Sequence, residues 1–575
     1  MNRLFRTSAL ASTAVVFLAL AGCSDEGSGF DISQQIGPDP VLPEPTTDLL
    51  PDLKVAEVVG WQDGETPTVP EGFTVSAYAA DLANPRTVHT LPNGDVLVVQ
   101  GKAPGGKPLE RPKDYIRGWI MSIAHGGGGG PQKESNLITL LRDSDRNGTV
   151  DERHDLLTDL NSPFGVAYAD NTLYVAATDA ILAYPYELGQ NEITAQPRVL
   201  TPLPGGPIDH HWTKDLALSP DRQFLYASVG SNSNAGERGM EAEKGRAAIW
   251  QVDRQTGAAR VFASGLRNPN GLTFHPDTGV LWTVVNERDE LGPNLVPDYM
   301  TSVQEGAFYG WPWSYYGDHV DERVHPPRPD MVEMAIAPDY ALSSHVAALG
   351  MTFSMGSAMP EPFANGAFVG EHGSWNRTNF NGYKVIYIPF ENGRPSGMPV
   401  DVVTGFLDGD RARGRPVGVG IDGTGALLVA DDAGNTVWRV APADGTTIPE
   451  PIATDQSPSS TAAGSSTTLP AGVVAPAAEA GTAPDAGGAT TPSGAAATTD
   501  RLPADAGDVP GAVAPAPAPA DGQTPPAAAP QQNDGAESGA EATDGEALTR
   551  PAQQQIAPAV QPEGTVQDNP SSGQN

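Results

Sequence analysis

The sequence Asn93-Gly94-Asp95-Val96-Leu97-Val98-Val99 places a turn directly before a short run of apolar residues. The fourth copy of this pattern is preceded by another apolar segment, Leu272-Thr273-Phe274, and by the turn residues His275-Pro276-Asp277. Two apolar segments joined by a turn predict a β-hairpin in each copy. The five further copies cover residues 171–175, 222–227, 278–283, 365–369 and 424–429.

The six copies lie between residues 61 and 442, in a region with many glycines and prolines and almost no helical periodicity. Units of about 50 to 90 residues suit four-stranded blades, because radial closure hides the sheet edges that separate hairpins would expose. We therefore predict an all-β domain, a six-bladed β-propeller over residues 61–442. A double-sheet sandwich is the alternative.

The first 22 residues have the pattern of a signal peptide. Positive charges at Arg3 and Arg6 precede an uncharged apolar run shorter than the roughly 20 residues that a membrane span needs. The run ends in Leu20-Ala21-Gly22-Cys23, which resembles a bacterial lipobox and implies acylation of Cys23. An exported protein with a lipid anchor, at the outer membrane or the periplasmic face, is expected. An ordinary cleaved signal with a chance cysteine is the alternative.

Two further segments lack the composition of a folded domain. Residues 23–60 are rich in proline, acidic residues and threonine, which predicts a flexible tether. Residues 443–575 contain no aromatic residue, which predicts a disordered tail. The net charge of -36 argues against nucleic acid as a partner, because binding to phosphates needs a basic surface.

A ring of cations is predicted where the blades meet. When the units are superposed, residues about fourteen positions before the repeat leucine fall at the start of the inner strand. Guanidinium groups and an imidazole at one end of the channel suit a small ligand with several negative charges, since arginine pairs with carboxylates through two hydrogen bonds. These residues are His211, Arg267 and Arg413, with Asn268 and Arg415 as neighbours.

Five segments together resemble the pyrroloquinoline-quinone (PQQ) sugar dehydrogenases, and in particular their sorbosone-dehydrogenase branch. The resemblance covers nearly all of the predicted propeller and neither tail. It implies oxidation of an aldose or aldehydic sugar, with PQQ and calcium as cofactors and a quinone or cytochrome as electron acceptor. The segments are His210-His211-Trp212-Thr213-Lys214-Asp215-Leu216, Gly265-Leu266-Arg267-Asn268-Pro269-Asn270-Gly271-Leu272, Val285-Asn286-Glu287-Arg288-Asp289-Glu290-Leu291, Phe308-Tyr309-Gly310-Trp311-Pro312 and His372-Gly373-Ser374-Trp375-Asn376-Arg377.

The resemblance also implies roles for single residues. His211 matches the general base that removes the hydroxyl proton of the sugar, a role that suits an imidazole with a pKa near neutrality. Arg267 and Asn268 match the pair that holds the quinone end of PQQ and stabilises the charge that grows there. Arg413 and Arg415 match an Arg-x-Arg element that pairs with PQQ carboxylates. Arg377 falls near a family lysine with the same task.

Two calcium sites are predicted. In the family, backbone carbonyls hold a Ca²⁺ that polarises the quinone, and the matching positions here are Asn286, Glu287 and Arg288. The glucose-specific members carry a Gln-Gly-Pro run at this place, from which this sequence departs.

The second candidate is an acidic loop with oxygens at alternate positions and a glycine sixth, typical of calcium loops. Its twelfth position is His154, where an EF-hand needs a glutamate, and a plain acidic turn is the alternative. The candidate ligands are Asp143, Asp145, Asn147 and Asp151.

Three functions are compatible with a six-bladed propeller: a PQQ-dependent sugar dehydrogenase, a calcium-dependent lactonase and a non-catalytic binding protein. The arginines favour the first, because the three carboxylates of PQQ give a reason for several guanidinium groups that a lactone does not.

Overall fold

A computed structural model of the protein describes residues 30–46, 54–104, 135–206, 208 and 210–443. The predicted signal peptide, Cys23 and the predicted tail after Ala443 lie outside these residues.

Strands dominate the described part of the chain. It contains one α-helix, α1 (Pro329–Met334), and two 3-10 helices, Ile32–Gln35 and Met240–Glu243. None of the helices in this part is long and apolar enough to cross a membrane.

Six main sheets follow one another along most of the chain, and the paired strands within these six sheets are antiparallel. Sheet 1 consists of β4 (Pro85–Thr90), β5 (Val96–Gln100), β6 (Leu137–Arg142) and β7 (Glu152–Leu157). Sheet 2 consists of β8 (Val166–Ala169), β9 (Thr172–Ala176), β10 (Ala180–Pro185) and β11 (Arg198–Pro202). Sheet 3 consists of β12 (Leu216–Leu218), β13 (Phe224–Val229), β14 (Ala248–Asp253) and β15 (Ala259–Ser264).

Sheet 4 consists of β16 (Pro269–Phe274), β17 (Leu281–Val285), β18 (Pro297–Ser302), β21 (Tyr340–Ser344) and the N-terminal strand β1 (Ile36–Gly37). Sheet 5 consists of β22 (Ala348–Phe353), β23 (Gly366–Glu371), β24 (Lys384–Glu391), β25 (Arg394–Pro395) and β26 (Val400–Val403). Sheet 6 consists of β29 (Pro416–Ile421), β30 (Leu427–Asp431), β31 (Thr436–Pro442) and, from the start of the domain, β3 (Phe73–Ala79).

Two smaller sheets complete the pairing in the described residues. One is the hairpin of β19 (Ser314–Tyr315) and β20 (His319–Val320). The other joins β2 (Glu57–Val58), β27 (Leu407–Asp408) and β28 (Arg411–Ala412).

The predicted tether of residues 23–60 contains two described segments that lie against the folded domain. Ile36 and Gly37 of β1 pair with β21, and β2 pairs with β28. The prediction of a flexible tether does not hold for these segments, because hydrogen-bonded pairing fixes their backbone.

Each of the six repeats found in the sequence contributes the second strand of one sheet, β5, β9, β13, β17, β23 or β30. These strands are buried along nearly their whole length; every residue of β5, β17, β23 and β30 is buried. A strand that is covered on both faces needs apolar residues at successive positions, which explains why polar and apolar residues alternate so little within the repeats.

The turns between first and second strands follow from local residue preferences. In sheet 2 the two-residue turn is formed by Asp170 and Asn171, both with positive φ (48° and 55°). Positive φ at both central positions is the hairpin turn that matches the twist of the strands, and aspartate and asparagine tolerate it.

The apolar core is divided into clusters that lie between neighbouring sheets. One cluster joins sheets 1 and 2, and others join 2 to 3, 3 to 4, 4 to 5 and 5 to 6. A further cluster, with Val98 of sheet 1 and Leu428 of sheet 6, joins the last sheet to the first. The sheets therefore form a closed ring, and the nearly all-β, propeller-type fold is confirmed. The sandwich alternative, with two packed sheets, is wrong.

We expect Leu428→Ala to reduce the free energy of unfolding by about 2 to 5 kcal/mol, because the side chain is fully buried in the cluster that closes the ring. Guanidinium unfolding followed by fluorescence measures the change. Leu188→Ala is the matched control, since Leu188 is 38% exposed, and its effect should stay within about 1 kcal/mol. Equal losses in both variants would contradict the closed ring.

Candidate active site

The starts of the first strands and the ends of the second strands meet at one end of the ring, which we call the mouth. Antiparallel pairing brings them side by side, as at Pro85 with Gln100 and Pro416 with Asp431. The predicted base His211 and two of the four predicted arginines, Arg267 and Arg415, lie close to these strand ends. The fold therefore brings residues from distant parts of the sequence into one region.

An apolar cluster lies beside the charged residues of the mouth. Phe164, Trp212 and Val417 are buried together, with Leu349 packed against them. These residues belong to strand starts of sheets 2, 3, 6 and 5, so side chains from across the ring meet here. Such packing excludes water beside the polar groups and strengthens electrostatic interactions there.

Arg86, in β4, was not identified from the sequence but is a central residue of the mouth. Its Nη1 donates to Asp432 Oδ2 at 2.9 Å, and its guanidinium carbon lies 5.7 Å from the centre of the Trp212 ring. The buried Nε has no hydrogen-bond partner among the described residues. Arg86 therefore has an open donor in a site with little water.

His372 and Asp432 form a second unpredicted pair. His372 Nε2 lies 3.0 Å from Asp432 Oδ1 and 3.1 Å from Oδ2. Burial lowers the pKa of His372; Asp432 opposes this effect, and Arg415 and Arg86 add to it. Burial alone would raise the pKa of Asp432, but His372 and Arg86 hold it well below its usual value. The pair is thus a neutral imidazole against a carboxylate at neutral pH.

Arg415, which the sequence analysis named as a neighbour of the offset residue Arg413, lies at the mouth. Its Nη2 donates to the Tyr383 hydroxyl at 2.7 Å, and its backbone N–H donates to Asp431 at 2.7 Å. The guanidinium carbon lies 5.0 Å from the centre of the Tyr383 ring. Its buried Nε, like that of Arg86, has no partner in the part of the chain that the structure describes.

Arg413 occupies a different environment, although it shares the fourteen-residue offset. It donates to Asp408 at 2.9 Å and lies 3.5 Å from Glu65, at the β27–β28 hairpin. The reason is the local register: Arg415 and Asn268 each precede the proline that pairs with the end of a second strand. Arg415, and not Arg413, is therefore the counterpart of residues in the other sheets.

Arg267 is buried and is held by protein groups on every side. Nε donates to Asn234 O at 3.0 Å, and Nη2 donates to Asn234 Oδ1 at 2.9 Å. Nη1 donates to the carbonyls of Asn286 at 3.1 Å and Glu287 at 2.6 Å, and Asp289 lies 3.5 Å from Nη2. Burial lowers the pKa of Arg267, and Asp289 and Glu287 oppose this shift. A direct contact with a cofactor would require one of these hydrogen bonds to break.

The same contacts bear on the predicted calcium carbonyls. The carbonyl oxygens of Asn286 and Glu287 accept hydrogen bonds from Arg267, so a cation already lies where Ca²⁺ was expected. The Arg288 side chain is fully buried, pairing with Glu287 at 2.9 Å and Asp321 at 3.1 Å. As arranged here, the Asn286 and Glu287 carbonyls would hold a calcium ion only close to the Arg267 guanidinium, which would repel it.

Asn268 and His211 approach each other across Gly230. Asn268 is buried, and its Oδ1 has no hydrogen-bond partner among the described residues. A Cβ on Gly230 would lie 2.5 Å from both Asn268 Oδ1 and His211 Cβ, so only glycine fits between them. His211 Nδ1 lies 3.0 Å from Ser231 O, which favours a proton on Nδ1 and the lone pair on Nε2.

Arg377 is placed apart from Arg86 and Arg415. Its Nη1 donates to Pro293 O, and its Nε donates to Asn379 O at 3.2 Å. Burial lowers its pKa to about 10. The neighbouring Asn376 donates to Asp289 Oδ1 at 2.6 Å, which ties this loop to the Arg267 network.

The acidic loop forms a compact cluster between β6 and β7. Ligand oxygens of Asp143, Asp145 and Asp151 lie within 4.8 Å of one another. The backbone N–H of Asn147 donates to Asp143 at 3.1 Å, Asn147 Oδ1 accepts from the backbone N–H of Thr149 at 2.8 Å, and Gly148 has φ 84°. Burial raises the pKa of Asp143, and the backbone N–H groups of Gly148 and Asn147 oppose this shift. Three of the four predicted ligands, the carboxylates of Asp143, Asp145 and Asp151, are thus brought together as a calcium loop requires.

Sequence reasoning missed Arg86, His372 and Asp432. His372 lay within a segment that carries the family resemblance, but it was given no role. Arg86 lies fewer than fourteen positions before Leu97, so the superposition of the repeats did not select it, and Asp432 follows the sixth repeat. A search for charged residues at both strand ends of every hairpin would have found all three.

Comparison with known proteins supports the family resemblance. A family model described as TrAA12-like matches residues 132–303 and 331–443. An uncharacterized protein of Borreliella burgdorferi is 29% identical over 294 residues, 49% of this chain and 76% of that protein. A PQQ-dependent pyranose dehydrogenase of Coprinopsis cinerea is 25% identical over 289 residues. That match spans 43% of this chain but only 39% of the pyranose dehydrogenase.

Solved structures show the same fold at low sequence identity. The calcium structure of a Trichoderma reesei enzyme of carbohydrate-active family AA12 has a TM-score of 0.53 at 18% identity, over 68% of this chain and 99% of that one. The holo PQQ domain of the Coprinopsis cinerea pyranose dehydrogenase has a TM-score of 0.52 at 20% identity, over 67% and 100%.

We expect Arg267→Lys to lower the free energy of unfolding of the cofactor-free protein by about 3 kcal/mol or more, because a lysine cannot replace the branched set of donors and leaves buried acceptors unpaired. Arg260→Lys is the control, since Arg260 is 49% exposed and pairs with Glu305; its effect should be below about 1 kcal/mol. Guanidinium unfolding measures both. A loss below about 1 kcal/mol for Arg267→Lys would contradict the buried network.

Proposed function

Because the matched residues place its folded domain in the TrAA12-like family, we propose that this chain is a quinoprotein that binds PQQ at the mouth and oxidises a sugar hydroxyl. The name of the Coprinopsis cinerea pyranose dehydrogenase supports both the cofactor and the class of substrate. The match covers under two fifths of that protein, so we propose, on this partial match, that this chain has the same activity.

The observation that carries the proposal is the set of buried polar atoms without partners. Arg86 Nε and Arg415 Nε are open donors and Asn268 Oδ1 is an open acceptor among the described residues. A buried group of this kind costs about 1 to 3 kcal/mol when it stays unpaired, so a ligand that pairs with it is strongly favoured. Two arginine donors suit carboxylates, which PQQ supplies. The residues of the mouth therefore fit this cofactor.

PQQ, when bound, supplies the chemistry of a hydride acceptor. Arg86 and Arg415 would hold the ligand through its carboxylates, and Asn268 Oδ1 would accept a hydrogen bond from it. His211 Nε2 removes the proton from the hydroxyl group of the sugar. The apolar cluster of Phe164 and Trp212 keeps water away from these groups.

Several finer features belong to the same proposal. We identify each sheet of the ring with one blade of a six-bladed propeller. The substrate is an aldose or aldehydic sugar, as in the sorbosone-dehydrogenase branch, and the electrons pass to a quinone or a cytochrome. Acylation of Cys23 would hold the enzyme outside the inner membrane.

Calcium is the second proposed cofactor, and the calcium structure of the Trichoderma reesei AA12 enzyme supports it. The loop fits the ion, since the carboxylates of Asp143, Asp145 and Asp151 are clustered, and we propose Asn147 as the fourth ligand. The carbonyls at Asn286 and Glu287 fit it only if Arg267 is displaced.

We expect the purified full-length protein to bind PQQ with a change in its absorbance spectrum, and to oxidise an aldose with a dye as electron acceptor only after PQQ and Ca²⁺ are added. Arg415→Gln should weaken PQQ binding by about 10- to 100-fold, because a charge-assisted hydrogen bond of about 1.5 to 3 kcal/mol is lost. Titration of absorbance against PQQ measures the affinity, and dye reduction on a panel of aldoses measures the activity.

Arg413→Gln is the matched control for that experiment, because Arg413 is paired with Asp408 at the hairpin and not at the mouth. Its affinity for PQQ should stay within about threefold of the unchanged protein. Absence of PQQ binding by a protein whose thermal unfolding is cooperative would overturn the proposed function. A larger loss of PQQ affinity in Arg413→Gln than in Arg415→Gln would overturn the proposal that Arg415 binds the cofactor.

We expect Asp143→Asn to weaken Ca²⁺ binding by at least about tenfold, because the loop loses one of its clustered charges. Isothermal titration with Ca²⁺ alone measures this. Asp318→Asn is the control, since the Asp318 side chain is 91% exposed and lies at the β19–β20 hairpin. Equal Ca²⁺ affinity in both variants would show that the loop is a plain acidic turn.

A further inference from the structure

Asp432 joins three sheets at the mouth. It follows β30 of sheet 6 and accepts hydrogen bonds from His372, which follows β23 of sheet 5, and from Arg86 in β4 of sheet 1. The carboxylate has a side-chain exposure of 9%. An imidazole with one nitrogen bound to a buried carboxylate is held in a single tautomer and orientation.

The other nitrogen of His372 is available at the mouth. Nε2 carries the contacts to Asp432, and Nδ1 makes no hydrogen bond within the described residues. The side chain is 16% exposed, so part of the ring is open to solvent. With the proton on Nε2, Nδ1 has the lone pair and can accept a proton.

The charges around His372 set its protonation state. Asp432 favours the imidazolium, while Arg86 and Arg415 disfavour it, and burial disfavours it more than either. These are the charged groups that face the ring from sheets 6 and 1. The imidazole is therefore neutral at neutral pH, and Asp432 remains poised to stabilise the cation that forms when it is protonated.

The reaction proposed above needs more than one proton acceptor. When a hydroxyl becomes a carbonyl, one C–H and one O–H bond break, a second C–O bond forms, and two electrons and two protons leave the substrate. The electrons pass to the electron acceptor. One proton goes to His211, which precedes β12 of sheet 3. The hydrogen of the C–H bond would leave together with both electrons, and its proton would have to be released at the mouth when the electrons are passed on.

We propose that His372, held by Asp432, is the acceptor of this second proton and delivers it to water at the mouth. The inference rests on the proposed function. Nδ1 would form an N–H bond as the bond that holds this proton on the reduced cofactor breaks, Asp432 would stabilise the imidazolium, and loss of the proton to water would restore the neutral ring. Asp432 is a positioning residue in this scheme, and burial keeps the resting imidazole neutral, with Arg415 and Arg86 adding to its effect.

The two half-reactions distinguish the histidines. In stopped-flow experiments on the full chain reconstituted with PQQ and Ca²⁺, mixing with sugar alone measures electron transfer from the substrate, and mixing the reduced protein with a dye measures electron transfer to the acceptor. His372→Gln should slow the second rate by at least about tenfold and leave the first within about twofold. His211→Gln should do the reverse. Asp432→Asn should act like His372→Gln, and His319→Gln, at the β19–β20 hairpin, should change neither rate.

A measurement without cofactor tests the electrostatics. The protein has 10 histidines, and labelling with ¹³Cε1-histidine allows the signal of His372 to be assigned by its absence in His372→Gln. We expect its pKa to lie below the ordinary value of about 6.5 and to rise in Arg86→Gln. Because the neutral ring is the proton acceptor, the rate of electron transfer to the dye falls as the pH drops through this pKa. In Arg86→Gln the rate should therefore begin to fall at a higher pH.

Each outcome has a distinct meaning. Failure of the unchanged protein to bind PQQ overturns the proposed function, and this inference with it. PQQ binding by His372→Gln together with an unaltered rate of electron transfer to the dye overturns this inference alone. The inference is also overturned if Arg86→Gln changes neither the pKa of His372 nor the pH at which the rate of electron transfer to the dye falls. A thermal unfolding midpoint within a few degrees of the unchanged protein confirms that His372→Gln is folded; if it is not, Asp432→Asn provides the same comparison.

Discussion

The structure depends on the closure of the ring of sheets. The second strand of every sheet is buried on both faces, so each sheet needs an apolar neighbour on either side. The sixth sheet therefore has to meet the first, and the cluster with Val98 and Leu428 fills that interface. The early strand β3 pairs with β31 and ties the start of the domain to its end. An open ring would expose two apolar faces, at about 25 cal/mol for each Å².

Closure also determines the chemistry of the mouth. Strand ends from all sheets converge there, and polar groups become buried that would otherwise be solvated. Each such group has to find a partner within the protein or in a ligand. On the side of sheet 4, Arg267 meets this need within the protein through Asn234, Asn286 and Glu287. The hydrogen bonds of Arg267 on this side therefore stabilise the closed ring of sheets.

The side formed by sheets 1, 5 and 6 is different. Arg86 and Arg415 each keep a buried donor without a partner, and His372 keeps one nitrogen without a hydrogen bond, among the described residues. Asp432 balances only part of this positive charge. Arginines thus act differently on the two sides of the mouth. Arg267, whose donors are all bonded to protein groups, stabilises the fold. Arg86 and Arg415, which each keep a donor without a partner among the described residues, create a site for an anion. Residue type alone does not distinguish the two.

The sequence by itself determined the repeats, the all-β class and the position of the second strands, because a strand buried on both faces needs an apolar run and a turn before it. It also identified His211, Asn268 and Arg415 at the mouth, through register and family resemblance. Only the tertiary structure decided which arginines are open. Arg413 shares an offset with Arg267 but lies at a hairpin, because β-strand register differs between sheets. Arg86, His372 and Asp432 meet only when the ring closes, since contacts between strand ends of different sheets leave no local pattern in the chain.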